Sequence, residues 1–269
     1  MSCAEKYKRT FVLSVQRSME YRASFFISIL SAAFPIIMQY FLWTAIFNNS
    51  KASVIYGFTY EQMIMYTALS SIVSIIVRAG FEWEIANDIK NGGLNAFIVK
   101  PIGYFSYRAS SFLGGKSVQL VIMLALISFL LSIVNMVSGA GIEPIRVLIF
   151  AVIIFFAVIL NFLMFFCLST AAFWATEVWG IYAGFEVLIN LLSGGLFPID
   201  VFGERAVYVL NYLPFAYTIY FPVRVLNGNL DISSTLEGVL IQLIWIGLLT
   251  LASKLLWSAG TKKYVAVGG

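Results

Sequence analysis

The chain has 269 residues, of which 61% are hydrophobic, 16% aromatic and only 11% charged, with mean hydropathy +0.91 and a formal charge of +4. Soluble domains carry about 25% charged residues, so an ordinary soluble fold is excluded and an all-α polytopic membrane protein is expected. The absence of histidine removes histidine-bound metals, the H-E-x-x-H protease motif and Ser-His-Asp chemistry together.

The chain opens on AEKYKRTFVLSVQRSMEYR, in which Tyr7, Phe11, Val15 and Met19 recur every four residues while Lys6, Arg9, Arg17 and Glu20 lie mostly off that stripe. The spacing predicts an amphipathic helix over residues 1–22, lying in the membrane interface. A plain cytoplasmic extension of the first span is the alternative. The apolar run that follows is longer than a signal h-region and no small-residue cleavage site comes after it, so no cleaved leader is expected.

A helical span needs about 20 apolar residues. Six such runs are predicted: Ala23–Phe47, Tyr60–Val77, Val118–Val137, Val147–Phe173, Gly180–Phe197 and Gly238–Trp257. Pro35 predicts a kink in the first. Thr67, Ser70, Ser71 and Ser74 dilute the second and read as helix-packing positions or as a substrate path.

Residues 78–117 form a polar loop between the second and third spans. Glu82, Glu84 and Asp88 precede Lys90, Lys100 and Arg108, while Trp83, Ile85, Ile89, Leu94 and Phe97 are apolar residues able to fill a partner's groove. Pro101 and Gly103 re-aim the chain toward the membrane. The loop closes on Gly114-Gly115-Lys116-Ser117, which looks like the end of a phosphate-binding loop. However, Ser110 stands where that motif requires its first glycine, no buried strand precedes it, and a bilayer-length apolar run follows. The expectation is a small-residue turn whose lysine reaches the lipid headgroups, with no nucleotide bound.

Cys167 lies inside the fourth span, far from Cys3, so no disulfide framework is implied. Glu186 lies inside the fifth. An ionisable side chain there is costly and is usually paired or functional. It faces a cavity or a subunit interface, or it takes a hydrogen bond from Tyr182 or Asn190, each four residues away. Ser193-Gly194-Gly195 ends this span.

The region 198–235 opens at Pro198. Its stretch VYVLNYLPFAYTIYFPVRVL is apolar enough for a seventh span, but Pro214 and Pro222 interrupt it and Asn211 and Arg224 would lie in hydrocarbon. The reading is a broken pair of short helices re-entering the outer leaflet, with Tyr208, Tyr212, Tyr217 and Tyr220 at the interface. Lys6, Lys8, Arg9, Arg17 and Arg22 then fall on one side with Arg78, Lys90, Lys100, Arg108, Lys116, Lys254, Lys262 and Lys263. Lys51, Arg146, Arg205 and Arg224 fall on the other. This bias predicts that both termini are cytoplasmic, the tail being 258–269.

The chain resembles, along nearly its whole length, the membrane (permease) subunit of ABC-2-type ABC transporters. The likeness rests on the interfacial helix, six spans, long loop and broken pair. Two stretches carry it best: DIKNGGLNAFIVKPIGYFSYR and LLSGGLFPIDVF with LNYLPFAYTIYFPVRVLNG. The resemblance implies a transport subunit of the cytoplasmic membrane with no enzymatic activity and no cofactor of its own. ATP and Mg would be bound by a separate ATP-binding cassette subunit, and a second permease, identical or paralogous, would complete the membrane half. A drug, antibiotic, lipid or glycan would move outward, with no nucleic-acid partner.

It further implies that Glu82–Lys100 couples to the ATPase, which assigns Glu82, Glu84, Asp88, Ile89, Lys90, Leu94, Phe97, Lys100 and Pro101 to coupling. A solvated loop with its apolar residues on lipid is the other reading of that segment. An ion-coupled secondary transporter or channel is the rival function. Such proteins usually show more intramembrane charge or broken helices repeated in both halves, whereas here one broken segment stands alone. An intramembrane enzyme is disfavoured by the missing histidines and the lack of a paired Asp or Ser–Lys arrangement.

Overall fold

A computed structural model describes residues 3–20, 22–50, 52–98, 102–138, 144–227 and 230–264. Lys100, Pro101 and the tail beyond 264 therefore lie outside the described residues. The elements in order are α1 (Cys3–Glu20), α2 (Arg22–Asn49), a hairpin of β1 (Val54–Ile55) and β2 (Phe58–Thr59), α3 (Tyr60–Val77), α4 (Glu82–Lys90), α5 (Asn95–Ile98), α6 (Tyr104–Ser138), α7 (Pro144–Ser169), a 3-10 turn (Thr170–Phe173), α8 (Trp179–Leu192), a second 3-10 turn (Ile199–Phe202), α9 (Glu204–Leu210), α10 (Tyr220–Leu226) and α11 (Ile232–Thr261). Among the described residues, four helical segments are long and apolar enough to cross a membrane: Tyr60–Lys90, Tyr104–Phe129, Ile145–Phe173 and Ile232–Thr261. The protein is an all-α integral membrane protein.

The helix boundaries follow local chemistry. The hairpin pairs Val54 with Thr59 and Ile55 with Phe58, turning through Tyr56-Gly57. Thr59 then caps α3: its hydroxyl accepts from the Gln62 N–H, and the Gln62 side chain accepts from the Thr59 N–H, a reciprocal capping box. At the start of α11 the cap runs one way only: the Asp231 carboxylate accepts from the Ser234 N–H at 3.3 Å. Hydrogen bonds from the Ser233 hydroxyl and the Ser234 side chain and N–H hold its carboxyl at about 2. The cap is complete above the ordinary aspartate range and is lost only as pH falls toward 2.

The core lies where α3, α7 and α10 meet, with α11 packed along α7. At one end of the bundle, α4 packs on α7 and on the Thr170–Phe173 turn. There Tyr104 stacks on Trp257 at 4.6 Å and the Tyr264 hydroxyl donates to Asn95 Oδ1 at 2.8 Å. At the other end, Trp43 meets Phe197 edge-on and the Tyr66 hydroxyl donates to the Gly194 carbonyl at 2.7 Å.

Three expectations are corrected. The Gly114-Gly115-Lys116-Ser117 stretch is not a turn. It sits inside α6, which starts at Tyr104, fourteen residues before the predicted span. Its glycines let α1 approach closely. A Cβ on Gly114 would run into the Phe11 carbonyl and stand 3.0 Å from Ser14 Cβ. The face of α1 turned to α6 is consequently small and polar. Ser14 and Ser111 share a hydrogen bond of 2.9 Å, the Ser18 hydroxyl donates to the Gly115 carbonyl at 3.0 Å, and the Gly103 N–H donates to the Tyr7 hydroxyl at 3.0 Å. Of the predicted apolar stripe, Tyr7 and Val15 are half-buried while Phe11 and Met19 are exposed.

Second, α8 ends at Leu192 rather than Phe197, giving 14 residues. Gly194 takes φ +80 there, a conformation that favours glycine and stops the helix. Third, Tyr217 and Tyr220 are buried, while Tyr208 and Tyr212 are exposed. The broken segment itself consists of two seven-residue helices. Pro198 precedes the second 3-10 turn, Pro214 lies buried between the two helices, and Pro222 occupies the first turn of α10, where its missing N–H is not needed.

The glycine contact predicts a measurable effect. Gly114→Val should release α1 from α6 at a cost of about 1–3 kcal/mol, with membrane insertion unchanged. Trypsin should then cut at Lys8, Arg9 and Arg17 several-fold faster. Unchanged protection would mean that the α1 contact does not need the glycine.

Candidate functional site

A cavity of about 650 Å³ lies between α2, α3, α6, α7 and α8. Its walls come from apolar helices, yet many lining side chains are polar. On α3 the hydroxyls bond back to the preceding turn: Ser71 donates to the Thr67 carbonyl at 2.9 Å and Ser74 to the Ser70 carbonyl at 2.7 Å. They present a polar but satisfied surface. Asn161 on α7 donates from Nδ2 to the Val77 carbonyl at 2.6 Å. That carbonyl can only accept, so the bond fixes the amide orientation and leaves the buried Oδ1 without a protein partner.

Charge gathers in the same cavity. Lys116 is only 9% exposed, and its ammonium donates to Gln119 Oε1 at 3.0 Å and to the Ile75 carbonyl at 3.4 Å. Glu82 is 5% exposed and its Oε2 has no protein partner. Arg78 and Glu186 pair at 2.7 Å, with their side chains 71% and 36% exposed. Two cations and two anions thus line one cavity.

Beside it lies a charged platform. Arg108 on α6 bonds Glu84 and Asp88 of α4, and its Nε donates to the Tyr104 hydroxyl at 3.0 Å. That hydroxyl donates to Asp88 Oδ2 at 2.5 Å. Lys90 reaches across to the Thr176 carbonyl. The platform and the cavity are continuous, because four residues separate the end of α3 at Val77 from Glu82, the first residue of α4.

The family described as ABC-2 family transporter protein matches residues 33–268. The chain belongs to the ABC-2 transporter family. An ABC-2 membrane component works with an ATP-binding subunit, which membership implies for this chain. No curated protein and no solved structure matches it.

Within this ABC-2 fold the residues assigned to coupling separate into three groups. Glu84, Asp88 and Lys90 form the platform bonds. Ile89 and Leu94 point into the chain's own core and Phe97 packs half-buried against Tyr104 and Tyr107, so these three do not stand out as anchors for another protein. Glu82 joins the cavity instead. Glu186 pairs with Arg78, 108 positions away in the chain, while the Tyr182 hydroxyl donates to the Ser169 carbonyl. Of the two helix neighbours considered for Glu186, Asn190 shares its cavity. Sequence reasoning missed Lys116, Asn161 and Arg78 as cavity residues. Lys116 and Gln119, both polar and three apart in an apolar helix, were the available signal.

Proposed function

We propose that the chain is the permease subunit of an ABC exporter, moving a substrate outward across the cytoplasmic membrane through a pathway that includes the 650 Å³ cavity. A second permease, identical or paralogous, completes the pathway. The α4 platform receives the stroke of a partner subunit that binds ATP and Mg. Both termini and α4 face the cytoplasm, and α9 and α10 lie in the outer leaflet. In this reading the six spans are α2, α3, α6, α7, α8 and α11.

One observation carries the reading. The polar cavity wall runs directly into α4, so tilting α4 must move Arg78, Glu82 and the walls around them. A packed structure transmits such a displacement rather than absorbing it. The exposed apolar residues of α2 and α8, including Phe34, Phe41, Ile181 and Leu188, supply surface for the second permease.

The test needs no knowledge of the substrate. In a background lacking Cys3 and Cys167, Ser74→Cys in the assembled transporter should react with a thiol reagent supplied from the cytoplasm. A non-hydrolysable ATP analogue should change that rate several-fold. Reaction only from outside, or indifference to nucleotide, would overturn the reading. Glu186→Gln adds a prediction. A solvent-reaching ion pair is worth about 0.2–1 kcal/mol, so stability should hold while the nucleotide-dependent change shrinks. A normal response would leave the Arg78–Glu186 pair a structural contact.

A further inference from the structure

A second cavity, of about 560 Å³, lies away from the first, at the start of α11. Its wall carries Tyr208, Tyr212, Tyr217 and Tyr220 with one cation, Arg224, and one anion, Glu237. These charges share the cavity, yet no ion pair within 4.0 Å joins them. Arg224 Nη1 donates to the Tyr220 hydroxyl at 3.0 Å, and that hydroxyl donates onward to the Asp200 carboxylate at 2.9 Å. Arg224 Nε is buried without a protein partner, and Nη2, which is not buried, makes no hydrogen bond among the described residues. The guanidinium is therefore positioned through Tyr220 but retains a donor to give.

The cavity wall is held in shape from α11. Gln242 Nε2 donates to the Tyr217 carbonyl at 2.9 Å and Trp245 Nε1 to the Tyr212 carbonyl at 3.0 Å. The Tyr217 hydroxyl ties down the Asn211 carbonyl at 2.7 Å. Glu237 sits six residues beyond the Asp231 cap, about 9 Å along the helix. Leu236, Leu240, Ile244 and Leu248 continue from that level as an exposed row at four-residue spacing.

We propose that this cavity binds the zwitterionic headgroup of a membrane phospholipid bearing an ammonium group. The phosphate sits against Arg224, whose guanidinium geometry suits it. The ammonium sits between Glu237 and the exposed tyrosine rings, where a carboxylate and aromatic faces both favour a cation. The acyl chains follow the leucine row of α11. A bound zwitterion completes the separated pair of charges, and the apolar row selects a lipid over a soluble molecule of the same charge pattern. The inference rests on the chain being embedded in a membrane and not on its transport direction.

The experiment is lipid retention. The complex is extracted from bilayers containing equal phosphatidylethanolamine and phosphatidylglycerol, and its retained lipids are weighed by native mass spectrometry. The wild type should keep phosphatidylethanolamine in preference. Glu237→Gln, on an exposed helix position that leaves the fold intact, should cut the preference about tenfold, the loss expected for one charge-assisted contact. Glu237→Lys should turn it toward phosphatidylglycerol. Tyr212→Leu should weaken it without altering the charge. Soluble O-phosphoethanolamine should not displace the lipid. Displacement at the lipid's own concentration would overturn the lipid assignment in favour of a free zwitterion. Equal retention of the two lipids, or a preference unmoved by Glu237→Gln, would overturn the site.

Discussion

Replacing Arg108 with glutamine should open α4 locally, exposing its inner face about a hundredfold more often. The arginine side chain is only 11% exposed and holds two carboxylates of different character. Glu84 is 62% exposed, so its pair is screened and contributes little. Asp88 is 22% exposed and keeps only the Tyr104 hydroxyl once the guanidinium is gone. Stranding such a carboxylate costs about 3–5 kcal/mol. The lower end applies here, since Glu84 can turn to water, and about 3 kcal/mol corresponds to the hundredfold change.

Ala86 lies buried on the inner face of α4, so Ala86→Cys reports this opening by its rate of thiol labelling. Cys167, half-buried against Ser253 at 3.2 Å, reports global unfolding and should respond far less. The double change Arg108→Gln with Asp88→Asn removes the stranded charge and should recover much of the protection. If single and double variants label alike, the stranded carboxylate is not the cause. Arg108→Lys should fall between, because an ammonium cannot reproduce the fork that spans Glu84, Asp88 and Tyr104.

How much of this was legible in the sequence depends on the range of the interaction. Hydropathy alone located α3 to the residue and α7 to within four, and found α11 as a core of its helix that extends further at both ends, to Ile232 and Thr261, because a lipid-crossing run is a local property. The prolines and the Ser193-Gly194-Gly195 run marked the breaks around α8 to α10, since backbone restrictions are local too. The glycine and lysine before the third span misled for the same reason. In isolation Gly114-Gly115-Lys116-Ser117 reads as a turn, and only the arrival of α1, about a hundred residues earlier in the chain, shows it to be a helix-packing surface.

The site was less legible still. Arg78 finds Glu186, and Arg108 finds Glu84 and Asp88, through folding rather than spacing. Ile89 and Leu94 are apolar residues in a polar loop, and that pattern is the same whether they face a partner or their own core. The structure turns them inward because α7 and the Thr170–Phe173 turn offer α4 a surface to cover.

That inward turn relocates the test of coupling. Truncating Leu94, which is 2% exposed, would cost about 2–5 kcal/mol of folding stability, and a lost partner would then say nothing about contact. The outward face of α4 carries Asn87, with Asn91 just beyond its end and Trp83 at its first turn. Trp83 is half committed to Tyr182, against which its ring packs edge-on at 5.1 Å, so the two asparagines are the clean positions.

If α4 seats in a groove of the ATP-binding subunit, Asn87→Arg with Asn91→Arg places two large cations where the groove must close. The expected result is a tenfold or greater loss of partner affinity, equivalent to about 1.4 kcal/mol or more. The folded membrane protein should be unchanged, because surface substitutions of this kind shift stability by about 0.5 kcal/mol at most. Titration of the ATP-binding subunit against the chain in nanodiscs measures the affinity, and Ala86→Cys labelling confirms that α4 has stayed closed. Full affinity in the double variant would remove α4 as the docking element. The contact would then be sought at the exposed Val12 and Leu13 of α1 or at the turn around Glu177, which are also exposed at that end of the bundle.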